Sequence, residues 1–231
     1  MRAHRIGAVA CALLLIGCTG SAPDEVTDRR VRYSETVDLP PPIQDGSRSF
    51  EEVLTSRRSG REFGTDPLPA TIIGQLLWSA QGVTDDSGHR TAPSAGAHYP
   101  IEVYAVTRSS VMHYLPEEHA VERRRDDAAF ERLAGSSFGQ QFVGTAPVVL
   151  VLTGVVERTR AEYGAIADDL VNREAGHVAQ NVLLQATALD LTAVPVGGFD
   201  PASAARALAL PPGEEVLYLV PLGRSPTSVA S

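Results

Sequence analysis

The chain contains no lysine, and all 20 of its basic residues are arginine. No lysine Schiff base can form, which excludes pyridoxal-phosphate enzymes and the aldolases that depend on such an intermediate. The 28 acidic residues outnumber the arginines and give a formal net charge of −8. This balance argues against nucleic acid as a partner, because binding to a phosphate backbone needs an excess of positive charge.

Cysteine is also scarce, since Cys11 and Cys18 are the only two and both lie near the N-terminus. The rest of the chain has neither a thiol nor a disulfide, which excludes thiolate catalysis and cysteine metal sites there. His113 and His119 have no metal-ligand spacing with any carboxylate. We therefore predict structural roles for both histidines and no metal site.

The N-terminus has the pattern of a bacterial export signal. Two arginines precede an apolar run over residues 6–16, and Leu-Ile-Gly-Cys follows. The run is too short to span a bilayer, which needs about 20 residues. We predict a signal peptide over residues 1–17 and a lipid on Cys18, with a plain secretory signal or a short anchor helix as alternatives. The protein would then be an exported lipoprotein of the cell envelope that touches the membrane only through its lipid anchor.

Composition divides the remainder of the chain. Residues 18–47 are rich in Pro, Asp, Arg and Ser and have little apolar periodicity, so we predict a solvated, flexible tether. Residues 225–231 are predicted to be a disordered tail. Residues 48–224 are long enough for one domain with a core of its own.

Apolar spacing predicts the elements of this domain. A continuous apolar run at 148–152 is predicted to be a central strand. The charged run of Arg123–Arg125 with Asp126 and Asp127 is predicted to begin a solvated helix that extends to Leu133. The other predicted elements are helices at 49–57 and 69–81, a hairpin at 101–107 and 111–115, and a final strand at 217–221.

A long helix is predicted from Glu162 to Leu189, because apolar residues recur there at three- and four-residue steps. At about 1.5 Å per residue, this stretch would span on the order of 45 Å, the width of a whole domain. Part of its apolar face would then need a second subunit, which predicts a homodimer. Asp200 is predicted to cap the helix that follows.

Three short segments carry residue types that suit a ligand. The loop at 57–61 places three arginines around Ser59, and fork-shaped donors with a hydroxyl fit a phosphate, with a solvated helix end as the alternative. Small residues at 94–97 would let a ligand approach the backbone, although by themselves they indicate only a tight loop. The glycine pair at 197–198 opens a similar approach to something flat or anionic.

Four segments together resemble the FMN-dependent nitroreductase superfamily, most closely its SagB-type azoline-dehydrogenase branch. They are RRSGREF at 57–63, TAPSAGAHYPIEVYAV at 91–106, EAGHVAQN at 174–181, and VPVGGFD at 194–200 with PLGR at 221–224. The resemblance implies an α+β fold with a mostly antiparallel sheet flanked by helices and the long helix at a homodimer interface. It also implies one FMN per site between the subunits.

The resemblance also assigns residues to the cofactor. Arg57, Ser59 and Arg224 are similar to ligands of the FMN phosphate, Arg58 to a phosphate or ribityl contact, and Arg61 to the donor near the pyrimidine side of the isoalloxazine. The remaining implied contacts, against the ring, the ribityl chain or flavin N5, are Ser94, Ala95, Gly96, His98, Pro195, Gly197 and Gly198.

The chain departs from azoline dehydrogenases at the predicted long helix. Those enzymes carry a Lys-Tyr pair there, followed by two arginines, whereas this chain has Glu162 and Tyr163 and neither arginine. Without the lysine base we do not expect azoline oxidation. Tyr163 remains a candidate catalytic hydrogen-bond donor, with helix packing as the alternative. The family implies ping-pong hydride transfer through flavin N5 between a small-molecule donor and acceptor; a non-catalytic flavin-binding or scaffold lipoprotein is the alternative function.

Overall fold

The computed structural model describes residues 33–226. The predicted signal peptide and the predicted lipidation site at Cys18 lie outside these residues, as does most of the predicted tail. Among the described residues, no helix combines the length and the apolar character that crossing a membrane requires.

A single seven-stranded sheet forms the centre of the domain, with the spatial order β1-β4-β3-β2-β5-β7-β6. Every neighbouring pair of strands is antiparallel, which confirms the predicted α+β fold. The strands are β1 (Glu35–Asp38), β2 (Ile101–Thr107), β3 (Ser110–Leu115), β4 (Ala120–Arg125), β5 (Val148–Gly154), β6 (Leu191–Ala193) and β7 (Glu215–Arg224).

Helices cover both faces of the sheet. They are α1 (Phe50–Ser56), α2 (Ala70–Gln81), α3 (Ala129–Gly135), α4 (Gln141–Thr145), α5 (Glu157–Tyr163), α6 (Ala167–Ala188) and α7 (Pro201–Leu208). One core joins α2 and α6 to the sheet, and a second core joins α3, α4 and α7 to its other face. All seven residues of β5 are buried, which confirms the prediction of a central strand, because both faces of this strand are covered.

The ends of two helices follow the capping signals of the sequence. Ser49 and Glu52 form a reciprocal capping box at the start of α1. The Asp200 side chain accepts a hydrogen bond from the backbone N–H of Ala202 at the start of α7, which confirms the predicted cap.

The predicted long helix is wrong at its beginning. Gly164, with φ 55° and ψ −127°, ends α5, and a single 3₁₀ turn separates α5 from α6. The sequence did not reveal this break, because the apolar spacing continues across it. The continuous helix α6 has 22 residues and therefore spans about 33 Å instead of 45 Å.

Two further segments differ from their predicted structure. Arg123–Arg125 belong to β4, and the helix after them begins only at Ala129. Residues Glu35–Asp38, inside the predicted tether, form edge strand β1 against β4. The Gln75 side chain also bonds both backbone polar groups of Ile43, so this part of the segment packs on the domain.

Candidate functional site

The two arginine-bearing segments of the sequence meet at one corner of the sheet. Ser59 forms a parallel bridge with Ala193 of β6, and the Gly60 N–H donates to the Ala193 carbonyl at 3.1 Å. The Gly64 N–H donates to the carbonyl of Arg224 at 2.8 Å. We call Arg57, Arg58, Ser59, Arg61 and Arg224 the arginine corner.

Glycine is required where this corner meets β6. A Cβ atom on Gly60 would lie 2.3 Å from Cγ2 of Thr192, far inside any van der Waals contact. Because Gly60 lies beside β6 without a side chain, the loop at 57–61 can pair with the strand while its arginines stay at the surface. Thr192 was not singled out by the sequence, since nothing in its own neighbourhood indicates this contact.

The guanidinium groups of the corner have no carboxylate partner among residues 33–226. Most arginines in this part of the chain form an ion pair, as Arg123 does with Glu35 and Arg124 with Asp126. Those that form none are Arg57, Arg58, Arg61 and Arg224 of the corner, and Arg206 on α7. Four guanidinium groups without a carboxylate partner, carried by two segments that meet at this corner, suit an anion with several oxygen atoms, such as a phosphate monoester.

The glycine pair Gly197–Gly198 lies directly after a segment that extends the same edge of the sheet. Residues 194–196 continue the ladder along β7, where Val196 and Leu219 exchange both backbone hydrogen bonds at 2.7 and 3.0 Å. Both glycines are exposed. A Cβ atom would meet nothing closer than 3.8 Å at Gly197 and 3.6 Å at Gly198. Packing within the chain therefore does not require glycine here, which favours close approach of a ligand as the reason for it.

A short segment before β5 connects this glycine pair with the arginine corner. Gln140 donates through Nε2 to the Gly198 carbonyl at 2.6 Å. Two residues later, the Phe142 ring lies under the Arg61 guanidinium, 5.5 Å from Cζ to the ring centroid. Gln140 had no assigned role in the sequence analysis, and this contact gives it one: it holds the backbone of the glycine pair in place.

The small-residue loop at 94–98 has an unusual backbone. Gly96, Ala97 and Tyr99 have φ values of 59°, 55° and 44°, and the two that are not glycine occupy a conformation that side chains disfavour. The Ser94 hydroxyl accepts a hydrogen bond from the Tyr99 N–H at 2.9 Å. Backbone strain of this kind often accompanies a functional loop.

His98 and Tyr163 come together at this loop. Nε2 of His98 lies 2.8 Å from Oε2 of Glu162, and the Tyr163 ring packs edge-on against the imidazole at a centroid distance of 6.0 Å. In the sequence, Glu162 is notable only because it stands where azoline dehydrogenases carry a lysine. Its pairing with His98 was beyond prediction, since the two residues are 64 positions apart.

A buried carboxyl group lies beneath the loop. Glu174 on α6 is only 3% exposed, and Nε2 of Gln81 approaches it at 3.5 Å. Burial raises the pKa of Glu174 above its usual range, while interactions with the Ser94 hydroxyl and the Gln81 amide oppose this change. Glu174 was not predicted as a site residue. Its position one helical turn after the apolar Val171 nevertheless indicates a charged side chain on the buried face of the helix.

Within one chain, the arginine corner and the 94–98 loop lie at opposite ends of the sheet. Ile101, just after the loop, pairs with Gly154 at one end of β5. Leu222, two residues before Arg224, pairs with Val148 at the other end. Six residues of strand separate these ends by about 20 Å. The chain therefore brings the implied cofactor residues together in two groups, and does not bring the two groups to one place.

The family model of the nitroreductase family matches residues 54–224, which include the arginine corner, the 94–98 loop and the glycine pair. The chain belongs to the nitroreductase family. This confirms the family and the fold that the four segments predicted.

Individual relatives agree with this assignment. A nitroreductase-family protein of Methanocaldococcus jannaschii is 41% identical over 181 residues, which are 76% of this chain and 90% of the relative. A nitroreductase-family crystal structure from Ralstonia eutropha JMP134 has a TM-score of 0.74 at 30% identity and covers 83% of this chain and 90% of that one. The NADPH:FMN oxidoreductase of Vibrio harveyi, solved with NAD+, has a TM-score of 0.58 at 20% identity and covers 77% and 69%; this last likeness concerns the fold alone.

Proposed function

We propose that this nitroreductase-family chain is an FMN-dependent oxidoreductase whose active sites form between two copies of the chain. The observation that supports it most is the arginine corner, where four guanidinium groups face no carboxylate within residues 33–226. When bound, FMN supplies two-electron hydride chemistry, while the protein binds and orients the reactants.

The residues present fit this cofactor. Arg57, Ser59 and Arg224 would hold the phosphate, with Arg58 beside them, and Arg61 would donate to the pyrimidine side of the ring. The exposed backbone of Gly197 and Gly198 would face the redox-active part of the ring, where side chains would block a substrate.

The separation of the two groups of residues supports the proposed homodimer. The 94–98 loop of one copy can complete a cavity that the arginine corner of its partner begins, whereas about 20 Å of sheet separates the two groups within one copy. A twofold arrangement would produce two equivalent sites. The loop residues Ser94, Ala95, Gly96 and His98 would then contact the cofactor held by the other copy.

Mixing two defective variants tests this shared site. The double variant Arg57→Ala/Arg224→Ala damages only the corner, and Ala95→Trp fills only the loop. A mixed dimer contains one site with an intact corner and an intact loop, and its other site has neither. We therefore expect FMN to bind at about half of the sites of the mixed dimer. If both groups served a site within one chain, mixing would restore nothing.

Flavin affinity tests the cofactor itself. We expect Arg57→Ala/Arg224→Ala to weaken FMN binding more than about tenfold, since two charge-assisted contacts are lost, while light scattering still shows a dimer. Quenching of FMN fluorescence measures the affinity. Arg206→Ala is the matched control, because Arg206 also lacks a carboxylate partner in the described part but bonds Ser203 on α7. Colourless protein that takes up no added FMN would instead indicate a scaffold protein without turnover.

The reaction is proposed as ping-pong transfer from a small-molecule electron donor to a small-molecule acceptor. The chain resembles the SagB-type branch in its motifs, but it has no lysine, so azoline oxidation is not part of the proposal. Absorbance changes of the bound flavin, screened against NADH, NADPH and quinols, identify the donor; a protein that none of them reduces needs a donor of another class.

We also propose that the chain is exported and anchored through a lipid on Cys18, on the strength of the Leu-Ile-Gly-Cys pattern after a short apolar run. Incorporation of a labelled fatty acid, with Cys18→Ser as control, tests the anchor. Label retained in the variant would contradict it.

A further inference from the structure

The pair formed by His98 and Glu162 uses only one of the two imidazole nitrogens in contacts with the described residues. The His98 side chain is 27% exposed, and that of Glu162 is 57% exposed. Nε2 of the imidazole contacts the carboxylate at 2.8 Å, whereas Nδ1 has no hydrogen-bond partner among the described residues. One ring nitrogen is therefore oriented by a carboxylate and the other remains available, which is the arrangement that proton transfer by histidine needs.

Two glycines allow this pair to form. A Cβ atom on Gly96 would lie 2.9 Å from Cδ2 and Nε2 of His98 and 3.1 Å from Oε2 of Glu162. Gly164, directly after Tyr163, has φ 55° and ψ −127°, a combination that side chains essentially exclude. The backbone on both sides of the pair thus adopts conformations that place the imidazole and the carboxylate together.

The surroundings of His98 contain few other charges. Glu162 and Tyr163 face it from the end of α5, and Glu174 acts on it from α6. Two arginines hold the neighbouring residue instead: Arg158 donates to the Tyr99 carbonyl at 3.0 Å, and the Arg90 guanidinium lies over the Tyr99 ring. Glu162 is therefore the direct partner of the imidazole.

We propose that His98 donates the proton of the oxidative half-reaction and that Glu162 is its positioning residue. This inference rests on the proposed function, because it assigns a role to a loop that would face the cofactor held by the partner copy. A quinone-type acceptor that takes up a hydride and one proton becomes a hydroquinone. The hydride comes from the reduced cofactor, the proton comes from the His98 imidazolium, and the neutral imidazole regains a proton from water near the exposed Glu162.

The first test measures the chemistry in holoprotein that has been reduced with dithionite. Stopped-flow reoxidation by p-benzoquinone is followed from about pH 5 to pH 9 in wild type, His98→Gln and Glu162→Gln. We expect the wild-type rate to fall as the imidazole loses its proton, and His98→Gln to be slower by a factor of about 10² or more and insensitive to pH. Glu162→Gln should keep the imidazole but lose the carboxylate that orients it, so we expect a rate between those of wild type and His98→Gln.

A second test needs neither cofactor nor turnover. NMR spectra of the cofactor-free protein show the histidine signals, and the His98 signal is the one that His98→Gln removes. Glu162→Gln should move this signal, because Nε2 of His98 loses its carboxylate partner. His89→Gln is the matched control, because His89 forms a similar contact with Asp85 at 2.7 Å on an exposed turn and should leave both the rates and the His98 signal unchanged.

The outcomes separate this inference from the proposed function. Protein without flavin contradicts the proposed function. Holoprotein in which His98→Gln reoxidises with the wild-type rate and pH profile contradicts the proton donor alone. An unchanged His98 NMR signal in Glu162→Gln contradicts the positioning role of the carboxylate.

Discussion

His113 in the sheet and His98 in the 94–98 loop each contact a glutamate through Nε2 at nearly the same distance, 2.9 and 2.8 Å. Their surroundings differ in every other respect. His113 also contacts Glu122 through Nδ1 at 3.5 Å, and its ring stacks on Tyr104 at a centroid distance of 4.7 Å. The imidazole in the sheet therefore has both nitrogens and one ring face occupied, whereas Nδ1 of His98 has no hydrogen-bond partner within residues 33–226.

The backbone differs as well. Glu122, His113 and Tyr104 occupy directly paired positions on β4, β3 and β2, so regular strand geometry is enough to assemble their cluster. The His98 pair instead depends on left-handed residues and on the break at Gly164. Contact distance alone thus says little about role. Unused hydrogen-bonding capacity on a strained backbone indicates function, and saturated contacts on regular strands indicate stability.

The largest expected effect is in the sheet cluster. Glu102 is 16% exposed and contacts both His113 and Arg158, so Glu102→Ala leaves the half-buried imidazole without its nearer carboxylate and the Arg158 guanidinium without a carboxylate partner among the described residues. We expect the free energy of unfolding to fall by about 3 kcal/mol, measured by urea denaturation. Glu122→Ala, which removes a more exposed and more distant carboxylate, should cost less than about 1 kcal/mol. Equal losses would mean that burial does not separate the two contacts.

A smaller loss is expected at the strained backbone of the other cluster. Gly164→Ala forces a side chain into a conformation that costs about 1–3 kcal/mol, and it should displace Glu162 enough to change the NMR signal of His98. Gly135→Ala at the end of α3 is the control, since a Cβ there meets nothing within 4 Å. If Gly164→Ala were as stable as this control and left the His98 signal in place, the pair would not depend on the break between α5 and α6.

The sequence predicts the ordinary parts of this molecule better than the parts that distinguish it. The central strand at 148–152 and the capped α7 each follow from local chemistry, and so does the arginine-rich loop at 57–61, whose phosphate binding stays a prediction. The approach of that loop to Arg224 depends on strand pairing between distant segments, and only the family resemblance indicated it.

Three features were missed for physical reasons. Strand β4, next to the edge strand β1, carries Arg123–Arg125, and because alternate positions at its end are solvated, the charge run hides its β pattern. The break at Gly164 lies within an uninterrupted apolar periodicity, so only the backbone angles reveal it. Glu174 is buried and interacts with Ser94 of the loop and with Gln81 at the end of α2, the latter 93 positions away, a distance over which side-chain spacing carries no information.

The smallest expected effect is the pH dependence of the free energy of unfolding that His113 contributes, with the exposed His89 as the comparison. Burial alone would lower the pKa of His113, but the hydrogen bond and charge of Glu102 raise it above its usual value. A raised folded-state pKa stabilises the protein fully below the unfolded value of about 6.5, and this stabilisation is lost as pH rises through the folded-state pKa. Between about pH 6 and pH 9, wild type should therefore lose more unfolding free energy than His113→Gln.

Urea denaturation at both pH values measures this difference, and His89→Gln, on its exposed turn, should retain the wild-type loss. Parallel curves for wild type and His113→Gln would mean that folding does not change the pKa of His113, so that charge on its imidazole adds no net stability. The sheet cluster would then be stabilised by packing and neutral hydrogen bonds, and the contrast with His98 would rest on the partners of Nδ1 and on the backbone.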